Sequence, residues 1–349
     1  MRDFSISHLE EVLVDTQSGD FPLADSVEQN VLVYDASTLS NHPENGQSEL
    51  YAALSDGPGI VVIKGLIADH AVLDCASEIF SSIIEQEKAS GSARGDHFAK
   101  PGANDRIWNS FEKHCLANPK NFAAYYANPV LDLICRAWLG PSFQMTAQVN
   151  RVNPGGAAQT AHRDYHLGFM TEAQMRQYPA SVHQLSPMLT LQGAIAHVDM
   201  PLDAGPTLYL PHSQKWPEGY LYSTRPEVQD LFGQRHAQLP LAKGDSAFFN
   251  PAVLHGSGTN KSANIFRLGN LLQVSSAMGR PMETVDRSAM IAALNGELVA
   301  SELTSEQRRL LIGMVADGYP FPTNLDTDPP VGGLAPASPA QKIMLDYGL

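Results

Sequence analysis

The sequence predicts a mainly β fold, an antiparallel sandwich or barrel with helical segments before and after it. Short apolar runs rich in β-branched and aromatic residues recur between residues 143 and 276, separated by Pro, Gly, Asp and Asn turns. The flanking segments repeat their apolar residues at helical spacing instead. No internal repeat is visible, so we expect one domain over 1–349, with a helical part (about 1–142), a β core (about 143–276) and a helical part (about 277–349).

The N-terminal part contains one clear strand signal among its helices. In DGPGIVVIKGLI (56–67), three β-branched residues follow a glycine-bracketed turn, which is typical of a short buried strand. A helix capped by Asp69 should follow, because apolar residues recur there at helical spacing, at Val72, Ala76, Ile79 and Ile83. A second helical pattern covers 118–140, interrupted by Pro129 and closed by Gly140.

The β core is read from five short runs, which are FQMTAQVNRV, LTLQGAIAHV, TLYLP, SAFFN and NIFRLGNLLQV. Many short strands separated by turn residues indicate a sandwich or barrel. After the core, helical spacing returns in 282–297 and 305–318, and the Pro- and Gly-rich segment 321–339 follows.

Composition narrows the possible partners. The formal net charge is −14, and long-range repulsion of this kind opposes docking on nucleic acid or anionic lipid, so a small-molecule substrate is favoured. No stretch approaches the roughly 18 apolar residues of a membrane span, and the opening twenty residues lack the features of a signal peptide. The three cysteines are widely spaced, which favours free thiols in a reducing compartment. We therefore expect a cytoplasmic protein.

A metal-binding pattern stands at the end of a β-type run. His162 and Asp164 are two residues apart, so their side chains project to the same face of an extended chain. One imidazole and one carboxylate cannot enclose an ion, and His255, in a second β segment, is the candidate third ligand. Two histidines and one carboxylate leave open positions on iron for a chelating co-substrate and for oxygen. A lone histidine near a strand end is more often a hydrogen-bonded structural residue, so a further signal is needed.

Arg267 supplies that signal. It lies twelve residues after His255, within the apolar run NIFRLGNLLQ. A buried guanidinium is costly unless it has an anionic partner, and it can form a two-pronged pair with a dicarboxylate. The alternatives are an ion pair with a carboxylate of the protein, or an arginine on an edge strand that faces water.

The order of these motifs resembles the phytanoyl-CoA dioxygenase family, from about Gly57 to Ser276. The resemblance is carried by His162-Arg163-Asp164, Gly205-Pro206-Thr207, Pro211-His212-Ser213, Gly244-Asp245, His255-Gly256-Ser257 and Arg267. It implies a double-stranded β-helix, a jelly-roll-like core whose open mouth holds iron(II) (Fe²⁺), the co-substrate 2-oxoglutarate and the substrate. One departure is the run LPHSQKW (210–216), which predicts a different loop shape near this mouth.

The resemblance also implies residue roles and a reaction. His162, Asp164 and His255 would hold the metal, and Arg267 would bind the distal carboxylate of 2-oxoglutarate. Three more residues would contact the co-substrate, namely Ser257, Thr207 and Gln159. The expected reaction consumes O₂, releases succinate and CO₂, and hydroxylates an unactivated carbon of a small-molecule metabolite.

Three alternatives remain at this point. An iron halogenase lacks the carboxylate at the position of Asp164, so that residue argues against it. A cupin-like metal-dependent isomerase or hydrolase is a second possibility, because Gly244, Pro251, His255 and Asn260 loosely resemble half of a cupin motif. Such an enzyme has no need of Arg267. A non-catalytic barrel that serves as a binding module is the third.

Overall fold

The computed structural model describes residues 4–93, 103–300, 302–321 and 325–349. In this part of the chain, ten strands form two sheets: β1 Ser26–Glu28, β2 Val31–Asp35, β3 Ile60–Lys64, β4 Asn104–Ile107, β5 Phe143–Val152, β6 Thr190–Ala196, β7 Leu208–Leu210, β8 Ser246–Phe249, β9 Leu254–Gly256 and β10 Arg267–Ser276. The larger sheet has the order β1-β2-β3-β8-β6-β10-β5-β4, and β7 pairs with β9 in the smaller one.

Nearly all pairings are antiparallel. The pair β2 and β3 is parallel, and the remaining pairs of both sheets are antiparallel. Single bridges extend the smaller sheet on both sides, from Tyr209 to Ala237 and from His255 to His162. The chain thus alternates between a wide and a narrow sheet, which is the predicted double-stranded β-helix.

Strand alternation gives the wide sheet two buried faces. Val33, Val62 and Phe249 point towards the narrow sheet and form one apolar cluster with Tyr209. Their chain neighbours belong to a larger cluster that includes residues of the helices, for example Tyr34, Val61, Ile63 and Phe248. A sheet that is covered on both faces needs continuous apolar runs, which explains why the strand signals are strong in this sequence.

Helices cover the outer face of the wide sheet and the ends of the barrel. They are α1 Ile6–Val12, α2 Ala36–Asn41, α3 Pro43–Ser55, α4 His70–Ser90, α5 Ser110–Ala117, α6 Pro119–Tyr126, α7 Pro129–Leu139, α8 Glu172–Met175, α9 Ala180–Leu185, α10 Gly219–Tyr222, α11 Pro226–Arg235, α12 Arg287–Val299, α13 Ser305–Val315 and α14 Pro339–Asp346. No helix of the described ranges combines the length and the apolar character that crossing a membrane requires.

Most local predictions are confirmed. The strand expected after residue 56 is β3, and Asp69 caps α4 by accepting a hydrogen bond from the Ala71 N–H at 2.9 Å. The pattern over 118–140 is broken into α6 and α7 at Pro129 and ends at Gly140, whose φ is 77°. The run FQMTAQVNRV coincides with β5.

Other details differ from the predictions. The buried stripe of α4 is centred one residue further along than expected, on Leu73, Ala76, Phe80 and Ile84. Helices α8 to α11 lie inside the predicted β core (143–276). Strands β1, β2 and β4 lie in the N-terminal part (about 1–142), which is predicted to be helical. Of the described residues, 43% are helical when the short 3-10 turns are included and 18% are in strands or isolated bridges, so the β core carries a thick helical cover. Short elements such as these are defined by distant partners, which local periodicity does not reveal. Of the Pro- and Gly-rich tail, residues 322–324 lie outside the described residues.

Candidate metal centre

Two extended segments meet at the open end of the barrel. The His162 N–H donates to the carbonyl of His255 at 2.9 Å, and the His255 N–H donates to that of His162 at 3.0 Å. Two residues further on, the Asp164 N–H donates to the carbonyl of Pro251 at 3.2 Å. The backbone itself therefore brings residues from distant parts of the sequence side by side.

The side chains of His162, Asp164 and His255 converge from these segments. Each offers one ligand atom within 4.8 Å of the other two. Nε2 of His162 is 3.9 Å from Oδ1 of Asp164, and Nε2 of His255 is 3.6 Å from Oδ2. Two imidazole nitrogens and one carboxylate at this spacing could hold a metal ion on one face.

Both histidine rings are oriented by their own backbone. Nδ1 of His162 lies 2.9 Å from the carbonyl of Thr160, and Nδ1 of His255 lies 2.9 Å from that of Val253. A carbonyl oxygen only accepts, so Nδ1 carries the proton in each ring and Nε2 carries the lone pair. This tautomer is the one that a metal ligand requires, and the outer hydrogen bond also fixes the ring plane.

Asp164 is held as a carboxylate. Burial raises the pKa of this group, but the protonated imidazolium forms of His255 and His162, which a bound metal ion would replace, and a hydrogen bond from Gln192 outweigh it, so the pKa lies well below its usual range. Sequence reasoning missed Gln192. The available signal was a glutamine within the apolar run of β6, and Gln273 stands opposite it on β10 in the same way.

Arg267 opens β10, between β5 and β6 in the wide sheet, and is buried with 7% of its surface exposed. Its guanidinium donates to the carbonyls of Ala204 and Gly258, each at 3.4 Å, and to the Ser257 hydroxyl. Burial lowers its pKa to about 10, which leaves the group cationic at neutral pH. No carboxylate of the described residues lies within ion-pair distance of it, so it does not form an ion pair with them. Its strand lies between two others, so it does not occupy an edge position either.

The remaining predicted residues surround this guanidinium to different degrees. Ser257 contacts it directly, and Thr207 lines the same cavity inside the barrel. The side chain of Gln159 instead accepts a hydrogen bond from the Ser257 N–H at 3.0 Å. Gln159 thus positions Ser257, and its contact with a co-substrate stays a prediction.

Two spaces flank the three converging side chains. The inner cavity lies between the two sheets, and it contains Arg267 and Thr207 together with Asn150 on a mainly apolar wall. The outer cleft contains His162 and Asp164 at its base. Arg163, Tyr165, His166 and Phe169 line this cleft, whereas Trp216 is fully buried behind Arg163.

Solved structures with similar chain traces include two enzymes of nogalamycin biosynthesis. The non-heme alpha-ketoglutarate-dependent epimerase SnoN shares 16% identity and gives a TM-score of 0.48, covering 67% of this chain and 82% of SnoN. The carbocyclase SnoK shares 17% identity with a TM-score of 0.46, covering 66% and 84% respectively.

Sequence comparison assigns the family. A curated relative, dioxygenase cdmA from Talaromyces verruculosus, is 26% identical over 262 residues, which is 72% of this chain and 80% of the relative. The family model described as phytanoyl-CoA dioxygenase matches residues 55–269, close to the span over which the motifs resemble that family. The chain therefore belongs to the phytanoyl-CoA dioxygenase family and is an oxygenase that depends on iron(II) and 2-oxoglutarate.

Proposed function

We propose that His162, Asp164 and His255 hold the iron(II), and that the enzyme hydroxylates an unactivated carbon of a small-molecule metabolite. The observation that carries this proposal is the convergence of the three ligand atoms within 4.8 Å. The donor set fits the metal, because two neutral imidazoles and a carboxylate on one face suit iron(II) and leave its other positions open. The carbonyls that accept from Nδ1 of both rings and the hydrogen bond from Gln192 to Asp164 support the same assignment.

We also propose that Arg267 binds the distal carboxylate of 2-oxoglutarate. A buried guanidinium that meets only carbonyls and a hydroxyl is poorly compensated, and a carboxylate would form charge-assisted hydrogen bonds with it. Ser257 and Thr207 lie where their hydroxyls can bind the same carboxylate. This arrangement favours an oxygenase over a cupin-like isomerase, which has no use for a cation at this position.

The protein's own contribution is positioning. Bound iron(II) supplies oxygen activation coupled to decarboxylation of 2-oxoglutarate, so that RH, 2-oxoglutarate and O₂ give ROH, succinate and CO₂. Gln192 orients the Asp164 carboxylate, and the carbonyls of Thr160 and Val253 keep the histidines in the binding tautomer. The apolar walls of the inner cavity limit the water around the co-substrate.

We also propose that the protein resides in the cytoplasm. All three cysteines of the chain, Cys75, Cys115 and Cys135, are free thiols, and two of them are buried. Free thiols are typical of a reducing compartment, which supports this proposal.

The test is an anaerobic titration of the protein with iron(II) and 2-oxoglutarate, followed by visible absorption. The wild type should develop a charge-transfer band when the keto acid chelates the metal. His162→Ala, Asp164→Ala and His255→Ala should each lose iron affinity and the band, since each removes one of three ligands. His236→Ala is the matched control, because that ring lies on Phe232 and bonds its carbonyl. An absent band in folded wild-type protein would overturn the proposal, and a triad variant with wild-type affinity would remove that residue from it.

A further inference from the structure

The outer cleft has an apolar wall and buried polar groups that lack partners. From its chemistry we propose that the substrate is an uncharged, mainly apolar small molecule, with a hydroxyl, carbonyl or ether oxygen that Tyr165 and Tyr220 bind. This inference rests on the proposed function, because it takes the cleft beside the three ligands as the place where the substrate is oxidised.

The wall of the cleft is mostly carbon. Its apolar and aromatic members come from the loop after Asp164, from α8 and α10 and from the segment after β10, and they are Tyr165, Phe169, Met170, Met175, Tyr220 and Met282. At the mouth, Phe169 is 79% and Met282 is 47% exposed. The cleft encloses about 250 Å³ and opens to solvent at this mouth, so a molecule of several rings or a long chain would extend out through it. Binding of an apolar molecule would bury this apolar surface, which stabilises the complex.

The cleft offers no cation for an anionic substrate. Of the described residues that line it, Arg163 is the single arginine or lysine. Its guanidinium donates to the carbonyls of Trp216, at 2.7 Å, and of Ser213, and only 8% of the residue is exposed. Nδ1 of His166 lies 3.2 Å from the Thr190 hydroxyl, so the protein already engages this ring. A phosphate, sulfate or carboxylate would lose its hydration here without gaining an ion pair.

Two tyrosine hydroxyls supply hydrogen bonding instead. Tyr165 and Tyr220 are 7% and 6% exposed, and their rings lie 4.8 Å apart in a tilted contact. Among the residues that the structure describes, neither hydroxyl has a hydrogen-bond partner of good geometry, although Ser186 lies near Tyr220. Buried hydroxyls are normally paired, because an unpaired one loses its bonds to water without replacement. A tyrosine hydroxyl both donates and accepts, so a neutral oxygen in the substrate would satisfy either residue.

The first test compares matched neutral and anionic probes by calorimetric titration of the anaerobic protein loaded with iron(II) and 2-oxoglutarate. The probes are androsterone with androsterone sulfate, and 1-dodecanol with dodecanoyl-coenzyme A. In each pair the neutral member should bind at least about tenfold more tightly, because the anion must be desolvated without a partner. Equal or tighter binding of an anionic member overturns the proposal, and so does the absence of binding by both alcohols. The iron titration of the preceding subsection uses none of these probes, so a failure of the proposed function would show there separately.

The second test assigns the hydroxyls. Tyr165→Phe and Tyr220→Phe should each weaken androsterone binding by about 3- to 10-fold, which is the usual effect of one hydrogen bond. Affinity for 5α-androstane, which has no oxygen, should stay the same, and a loss of cleft shape would lower both affinities. Tyr222→Phe is the matched control, since Tyr222 lies on the same helix α10 but its hydroxyl accepts from Arg176 at 2.9 Å. If both cleft variants bind androsterone like the wild type, the two tyrosines have no part in recognition.

Discussion

The side-chain amide of Gln192 donates a hydrogen bond to Oδ2 of Asp164. Gln192 belongs to β6 in the wide sheet, whereas Asp164 lies on the segment that runs beside β9 of the narrow sheet. The contact therefore ties a candidate metal ligand to a central strand of the wide sheet, which is covered on both faces. Outer partners of this kind orient a ligand and tune its charge.

Gln192→Leu should weaken iron(II) binding by about 10- to 100-fold, because it removes the donor and keeps most of the side-chain volume. Anaerobic iron titration measures this effect. Gln273→Leu is the matched control, since Gln273 pairs with Gln192 across the strands and bonds its amide at 3.3 Å. If Gln192→Leu binds iron(II) as tightly as Gln273→Leu and the wild type do, the hydrogen bond to Asp164 does not support metal binding.

Arg267→Ala should keep iron and lose 2-oxoglutarate. Removing one partner of a desolvated charge pair costs about 2–5 kcal/mol, which corresponds to roughly thirty- to several-thousand-fold weaker binding. The measurement is a 2-oxoglutarate titration of the anaerobic iron protein, with iron content and thermal unfolding recorded on the same samples. Arg151→Ala is the control, because that arginine, on the neighbouring strand, pairs with Asp105 at 2.7 Å. Unchanged affinity in a folded Arg267→Ala protein contradicts the proposed co-substrate site.

Gly219→Ala should destabilise the protein by about 1–3 kcal/mol, because a Cβ there would overlap the guanidinium of Arg163. Gly233→Ala provides the contrast within α11, where a Cβ meets no atom within 4 Å. That change should be neutral or stabilise the helix by up to about 1 kcal/mol. Urea unfolding of the two variants and the wild type gives the comparison. Equal stability of the two variants would show that Arg163 can move away at little cost.

Two buried histidines should make the protein less stable in acid. Burial lowers the pKa of His114 to about 4 and that of His197 to about 3, helped in His197 by the charge of His114. The unfolded chain, with a pKa near 6.5, then binds more protons below that pH, so stability that is present above pH 6.5 falls as the pH drops towards 4. Between pH 7 and pH 5, each histidine should remove about 2 kcal/mol.

His197→Gln tests this prediction. The variant should be less stable at pH 7, because Tyr125 and Ser77 lose their imidazole partner, but its loss of stability between pH 7 and pH 5 should be smaller than that of the wild type. His70→Gln is the control at an exposed position at the start of α4. Denaturant midpoints at both pH values are the measurement. An unchanged pH dependence would show that His197 is protonated in the folded protein.

The local elements and the order of the motifs can be predicted from the amino-acid sequence. The strand at β3, the cap at Asp69 and the break at Pro129 depend on neighbouring residues, so a short window of sequence contains their cause. His162 and Asp164 were paired in the same way, because two residues of an extended chain share a face. His255 follows from the need for a third ligand and Arg267 from its place in an apolar run, and the ordered motifs of the family imply their roles.

The contacts of those side chains depend on the tertiary structure. In the sequence, Gln192 and Gln273 are two polar residues in separate apolar runs. The register of β6 and β10 brings them together beside Asp164. Arg267 meets no carboxylate of the described residues, and the hydroxyls of Tyr165 and Tyr220 have no partner among them. Both facts also depend on which distant segments pack together. Such contacts follow from strand pairing and sheet packing, which sum weak interactions over the whole chain, and no local pattern encodes them.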